Sequence, residues 1–302
     1  MRPSPAGTIA LIAGNELADS ARSRRVMVML LLYFIGAMAG TALFIKLLQS
    51  LEVQSVQSVG LTAPKDTGNV TATLWKSEGF RQMLTRLVGD RALAARLLNI
   101  PPLALFYGWL SFAFAPVLVV LTSATRIAEE TASGSVRFVM FRAARSQWCL
   151  GKFLGQAVQV FGALLLSAAG AWLVGLLRMK SFEPAPTAWF MLVFALKAWI
   201  YALPFLGLAL AVSQLFSTPN LALVFGFIAL VGVSVLNWVS AWLTGEGWRR
   251  SWDVVNALTP GSHRQSLWWG DAAHLVPACA FLVALAAAYL LAGYARFARR
   301  DL

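Results

Sequence analysis

Acidic residues are scarce in this chain. There are 13 Asp and Glu against 25 Lys and Arg, a formal net charge of +12. Charged residues of both signs are 13% of the 302. An ordinary soluble domain carries about 25%. That deficit leaves too little charge to cover a soluble surface. Two cysteines, Cys149 and Cys279, exclude a disulfide scaffold. Twelve prolines and 23 glycines without a period exclude collagen-like and low-complexity chains. The two histidines, His263 and His274, form no metal-binding spacing with the cysteines. No phosphate-cradling G-x-x-x-x-G-K-[ST] loop is present. Gly151-Lys152 comes nearest, but Ser146 stands at the first glycine and Phe153 at the magnesium-binding hydroxyl. The chain is not expected to hydrolyse ATP by itself, nor to be an enzyme.

What is abundant is apolar: 59% of the residues are hydrophobic. Six runs are long enough to cross about 30 Å of hydrocarbon at about 1.5 Å per helical residue. They are Val26–Leu48, Pro102–Ser123, Gly155–Leu177, Trp189–Leu215, Leu221–Leu243 and Ala273–Phe297. A β-barrel would show alternating segments of about ten residues instead. The expected fold is an all-α integral membrane protein with six transmembrane helices, a single transmembrane domain over residues 1–302. The first run is too long and starts too late for a signal peptide. Lys and Arg gather before the first run (Arg22, Arg24, Arg25), between the second and third (Arg126, Arg137, Arg142, Arg145, Lys152) and after the sixth (Arg296, Arg299, Arg300). This favours both termini inside. It also assigns the basic excess to orientation and lipid headgroups, not nucleic acid.

Three segments lie between or before the runs. Residues 8–25 mix Ile9, Leu11, Ile12 and Leu17 with Asn15, Glu16, Asp19 and Arg22, which suits an interfacial amphipathic helix. Residues 49–100 form a long outer loop. Its second half, Leu74–Leu98, reads as an amphipathic helix through Phe80, Leu84, Leu87, Leu93 and Leu97. Residues 244–271 hold Trp248, Trp252, Trp268 and Trp269, an aromatic belt of short interfacial or re-entrant helices broken at Pro260-Gly261.

No run contains Asp or Glu, which argues against an ion-coupled carrier. Lys197 is the clear intramembrane charge and, with Asn237, a candidate for substrate or gate contacts; the bland alternative is a snorkelling lysine. Gly36 and Gly40 form a G-x-x-x-G for close helix packing. Gln156, Gln159 and Asn237 are expected to hydrogen-bond between helices. Pro204 should kink the fourth run.

The stretch from Thr125 to Lys152 is the most informative. An amphipathic helix carries Glu129 and Glu130, Gly134 breaks it, and Ser135 caps a second short helix bearing Val136, Phe138, Val139 and Phe141. Charged and apolar residues exposed together at a membrane face fit a docking element. An interfacial helix lying on lipid is the alternative.

Three patterns resemble the ABC-2 family of ABC-transporter permeases. They are Asn15-Glu-Leu-Ala-Asp-Ser-Ala-Arg-Ser-Arg-Arg25 before the first run, Glu-Glu-x-x-x-Gly-Ser-x-Arg at 129–137 with Gly-Lys at 151–152, and Phe297-Ala-Arg-Arg-Asp-Leu302 after the last. The resemblance implies a six-helix exporter fold in the cytoplasmic (inner) membrane. Residues 8–25 would be the elbow helix. Residues 124–152 would be the cytosolic coupling loop, with Glu129, Glu130, Gly134, Ser135, Arg137 and Phe138 contacting a separate ATP-binding-cassette subunit. That subunit would bind ATP and Mg, and this chain would hold no cofactor. A second permease copy or paralogue would complete the assembly. The long outer loop implies a periplasmic or extracellular protein partner. The rival readings are an ion-coupled secondary carrier and a non-transporting membrane scaffold acting through its outer loop. A Glu-Glu intramembrane protease is a poorer fit, since only His274 lies in a later run.

Overall fold

The computed structural model describes residues 4–58, 85, 90–179, 182–243 and 250–299. Among them there is no strand. The helices are α1 (Pro5–Arg22), α2 (Arg24–Ser58), α3 (Arg91–Leu97), α4 (Pro102–Ser123), α5 (Arg126–Ser133), α6 (Ser135–Met140), α7 (Arg145–Arg178), α8 (Pro184–Leu215), α9 (Pro219–Leu243), α10 (Arg250–Ala257), α11 (Arg264–Trp268) and α12 (Ala272–Ala298). Six of these, α2, α4, α7, α8, α9 and α12, are long and apolar enough to cross a membrane. They coincide with the six predicted runs.

The differences lie at the helix ends. α2 continues to Ser58, beyond the predicted end near Leu48. Between Leu48 and Gly60 there is no glycine or proline, so the polar continuation stays helical. α7 starts at Arg145, before the predicted Gly155. Hydropathy marks where a helix meets the hydrocarbon, whereas capping marks where the helix stops. Ser4 starts α1: its Oγ accepts from the Gly7 N–H at 3.2 Å, and Pro5 occupies the first turn. Ser23, in an extended conformation, separates α1 from α2. Most of the amphipathic helix predicted over Leu74–Leu98 lies outside the described residues. Its described part is α3, capped by Asp90, whose Oδ1 accepts from Ala92 N at 2.8 Å.

The chain divides into two compact units. Unit 1 is Met1–Leu31, Phe112–Gly162 and Lys197–Leu302; unit 2 is Leu32–Ser111 and Ala163–Leu196. In unit 2, Tyr107 donates its hydroxyl to the Leu164 carbonyl at 2.7 Å, and Phe44 stacks on Phe106 at 4.3 Å. In unit 1, α8 and α12 approach almost backbone to backbone. A Cβ at Gly207 would strike the Ala286 carbonyl, and one at Gly293 would sit 2.8 Å from Ala211 Cβ. These glycines allow that approach, as small residues do in membrane helix pairs. Phe112 meets Tyr201 and Trp268 at 5.6 Å and 5.4 Å, packing α4, α8 and α11 together by their rings.

Candidate functional site: a buried charge cluster behind an aromatic-tipped loop

The loop joining α4 to α7 is built by caps from several helices, all within unit 1. α5 has no side-chain cap of its own at Thr125. Ser213, near the end of α8, takes that role. Its buried Oγ accepts from Ile127 N at 3.1 Å and Ala128 N at 3.0 Å. Gly134 ends α5 in the left-handed region, at φ +72°. A side chain there would be strained, so this corner favours glycine. Gly134 also stands at the cap position of α6. Ser135, predicted to be that cap, is instead the first helical residue. Its Oγ donates to the Glu130 carbonyl at 3.2 Å and so ties α6 back to α5. α7 begins with Gln147 reaching back to the Ala144 N–H at 3.2 Å, half of a capping box.

Beneath the loop lies a cluster of buried ions. Glu16 of α1 is 2% exposed. It pairs with Lys152 of α7, and Lys152 pairs also with Glu130 of α5. Gln156 donates to Glu16 Oε1 at 2.7 Å and accepts from Ser123 Oγ at 2.9 Å. Arg126 donates to Ser20 Oγ at 2.8 Å, with its Nε 3.6 Å from Glu16. A surface pair joins Arg25 to Glu129 at 3.4 Å. Helical spacing explains the convergence. Glu16 and Ser20 share one face of α1, and Lys152 and Gln156 share one face of α7. Gly155 brings the two faces together, since a Cβ there would lie 2.8 Å from Glu16 Cβ. Two carboxylates and two cations balance in the cluster, with Glu16, Arg126 and Lys152 buried and Glu130 partly open to solvent.

Burying such ions costs several kcal/mol each, offset only while all partners are present; removing one partner costs about 3–5 kcal/mol. The cluster therefore fixes one arrangement of α1, α5 and α7. Farther along, Arg145 donates to the Phe297 and Ala298 carbonyls at 3.0 and 2.8 Å, closing the end of α12. Trp148 stacks on Phe297 at 5.5 Å.

Of the predicted docking residues, Glu129, Glu130, Gly134, Ser135, Arg137 and Phe138 come together on α5, α6 and their corner. They do not face one way. Glu129 and Glu130 are engaged by Arg25 and Lys152 of the same chain. Arg137 and Phe138 are exposed. Lys197 and Asn237 are elsewhere in unit 1. Lys197 is 7% exposed and donates to the Trp269 carbonyl at 2.9 Å. Asn237 Oδ1 accepts from Thr259 Oγ1 at 2.7 Å. Both hold the segment around α10 and α11, where the predicted short helices and the break at Pro260 are found. Gly36 and Gly40 lie in unit 2. A Cβ at Gly36 would meet nothing within 4 Å, and one at Gly40 only Leu110 and Phe106 side chains at 3.8–3.9 Å. Closer approaches inside the chain fall at other glycines, among them Gly155, Gly207 and Gly293. Gln156 does bond across helices, whereas Gln159 is buried with no hydrogen-bond partner among the described residues.

Sequence reasoning placed Glu16 in the leader and Arg126 and Lys152 at the two ends of the 124–152 loop, and missed their meeting. The available signal was the four-residue spacing of Glu16/Ser20 and Lys152/Gln156.

Residues 10–302 match the sequence model of a family described as ABC-2 family transporter protein. No curated protein matches the chain.

Proposed function

The chain belongs to the ABC-2 family of transporter proteins, and from that premise we propose how this multi-pass permease works. It sits in the cytoplasmic membrane with both termini inside. A separate ATP-binding-cassette subunit hydrolyses ATP with Mg, and this chain conducts the substrate. A second permease copy or paralogue completes the path. The 124–152 loop is the coupling loop, and α1 is the elbow helix of the 8–25 segment. A protein partner on the far side of the membrane engages the long 49–100 loop.

One observation carries this reading. The loop between α4 and α7 is tied by buried ions to an amphipathic helix that precedes the first span. Force on the loop therefore reaches α1 and α7 together. A motor subunit can shift a membrane domain only through a contact that differs between its nucleotide states. A floppy loop would dissipate that difference, and this one is locked.

The test is purification of the tagged protein from its own membranes in mild detergent, with the stoichiometry of what accompanies it. One ATP-binding-cassette chain per permease is expected. Its absence, even after crosslinking in intact cells, would overturn the reading in favour of a carrier or scaffold.

A further inference from the structure

The tip of the 124–152 loop presents a chemistry different from its base. Phe141 is 86% exposed and Phe138 76%. They are three residues apart, one helical turn, at the end of α6. Arg137 and Arg142 beside them are also exposed. The nearest acidic groups in sequence, Glu129 and Glu130, are engaged by Arg25 and Lys152 at the base. A partner approaching the tip meets two aromatic rings and two cations.

We propose that the docking contact is this aromatic pair ringed by Arg137 and Arg142, and that Glu130, held by Lys152, belongs to the internal lock behind it, whereas Glu129 makes only a surface pair with Arg25. The occupant is an apolar groove of the nucleotide-binding subunit with carboxylates on its rim. The inference rests on the permease reading above and names the contact chemistry of that same loop. Three points support a protein groove. The loop is fixed at its base by ion pairs, by the Ser213 cap and by the Ser135–Glu130 hydrogen bond, and a groove of fixed shape needs such a fixed plug. A lipid surface needs no such rigidity. Buried aromatic anchors beside arginines are the usual composition of interface hot spots. The exposed charge at the tip is of one sign, so it selects a complementary rim and rejects a basic one.

The test uses the full complex from native membranes. A photo-crosslinking phenylalanine analogue is placed at 138 or 141, and at the exposed Trp242 as control. The expected product at 138 and 141, and not at 242, is a mapped crosslink to a peptide of the chain that carries the phosphate-binding loop, with Asp or Glu flanking apolar residues. Crosslinks to lipid alone would overturn the inference. Alongside, Phe138→Ala with Phe141→Ala is expected to lower recovery of the ATP-binding chain about tenfold or more. Arg137→Glu with Arg142→Glu should lower it too, with an altered salt dependence. Glu129→Gln, at the base, should leave recovery near wild type. All four side chains at the tip are exposed, so a monodisperse peak in gel filtration checks that each variant still folds. If the wild type brings down the ATP-binding chain and the double alanine variant brings down as much, the aromatic contact is wrong and the permease reading stands. If the wild type brings none, the permease reading itself fails.

Discussion

Two regions of unit 1 organise their polar groups in opposite ways. The α4–α7 loop is held by ions: Glu16, Arg126, Lys152 and Glu130 meet under it. The segment running from α10 to the start of α12 is held by rings and single hydrogen bonds. His263 stacks on Phe281 at 4.1 Å, Trp269 on His274 at 4.6 Å, and Lys197 and Asn237 each make one of the described bonds to it. An ion cluster is directional and fails as a unit, because each charge depends on its neighbours. A set of stacked rings and separate bonds degrades a little at a time. The first design suits the force-transmitting role proposed for that loop.

Removing a charge from the cluster should have the largest effect. Glu16→Ala leaves Lys152 without one of its two carboxylates and Arg126 without its nearest one, and should destabilise the protein by about 3–5 kcal/mol. Thermal unfolding in detergent, followed by fluorescence-detected gel filtration, measures it. A loss no larger than that of a surface variant would erase the contrast between the two regions. Lys197→Met tests the other side. It leaves the Trp269 carbonyl without this donor and should cost about 1–3 kcal/mol. Substrate-stimulated ATP hydrolysis per folded molecule should stay unchanged if the lysine only holds that carbonyl. A fall in stimulation would give Lys197 the substrate role that its sequence position suggests.

Smaller still is Asn237→Ala, which deprives Thr259 Oγ1 of its side-chain acceptor at a cost of about 1 kcal/mol by the same unfolding assay. The neighbouring Asn256 carbonyl already accepts from Thr259 at 2.8 Å, which limits the loss. The smallest change belongs to Glu129→Gln. Its pair with Arg25 is open to solvent on both sides, so about 0–1 kcal/mol is expected, shrinking further as salt is added. If Glu129→Gln proved as damaging as Glu16→Ala, the division between a buried lock and a surface pair would be wrong.

Much of the architecture was legible in the sequence. The spans are visible because a hydrocarbon slab admits only long apolar helices, and the chain's runs are unbroken by acids. The corner at Gly134 was visible too, since glycine after an amphipathic turn is a helix stop. Helix ends were less so: the α2 extension to Ser58 carries polar residues that hydropathy scores as loop. The capping of α5 was invisible, because its cap is Ser213, far away in the chain. Gly36 and Gly40 matched a packing motif, yet close approaches in unit 1 fell at other glycines, among them Gly155, Gly207 and Gly293. A motif records that approach is allowed, and the partner helix decides where it occurs.

The sequence by itself determined the class, the six spans and the position of the α4–α7 loop, since each follows from hydropathy, spacing or a local breaker. The tertiary structure decided which charges face which. Glu129 and Glu130 read alike with Arg137 as exposed members of one amphipathic stretch. Only the approach of α1 and α7, made through Gly155 and Glu16, draws Glu130 inward and leaves Arg137, Phe138 and Phe141 outside. Charges act over a few ångströms of space, and the distance from Glu16 to Lys152 along the chain says nothing of that.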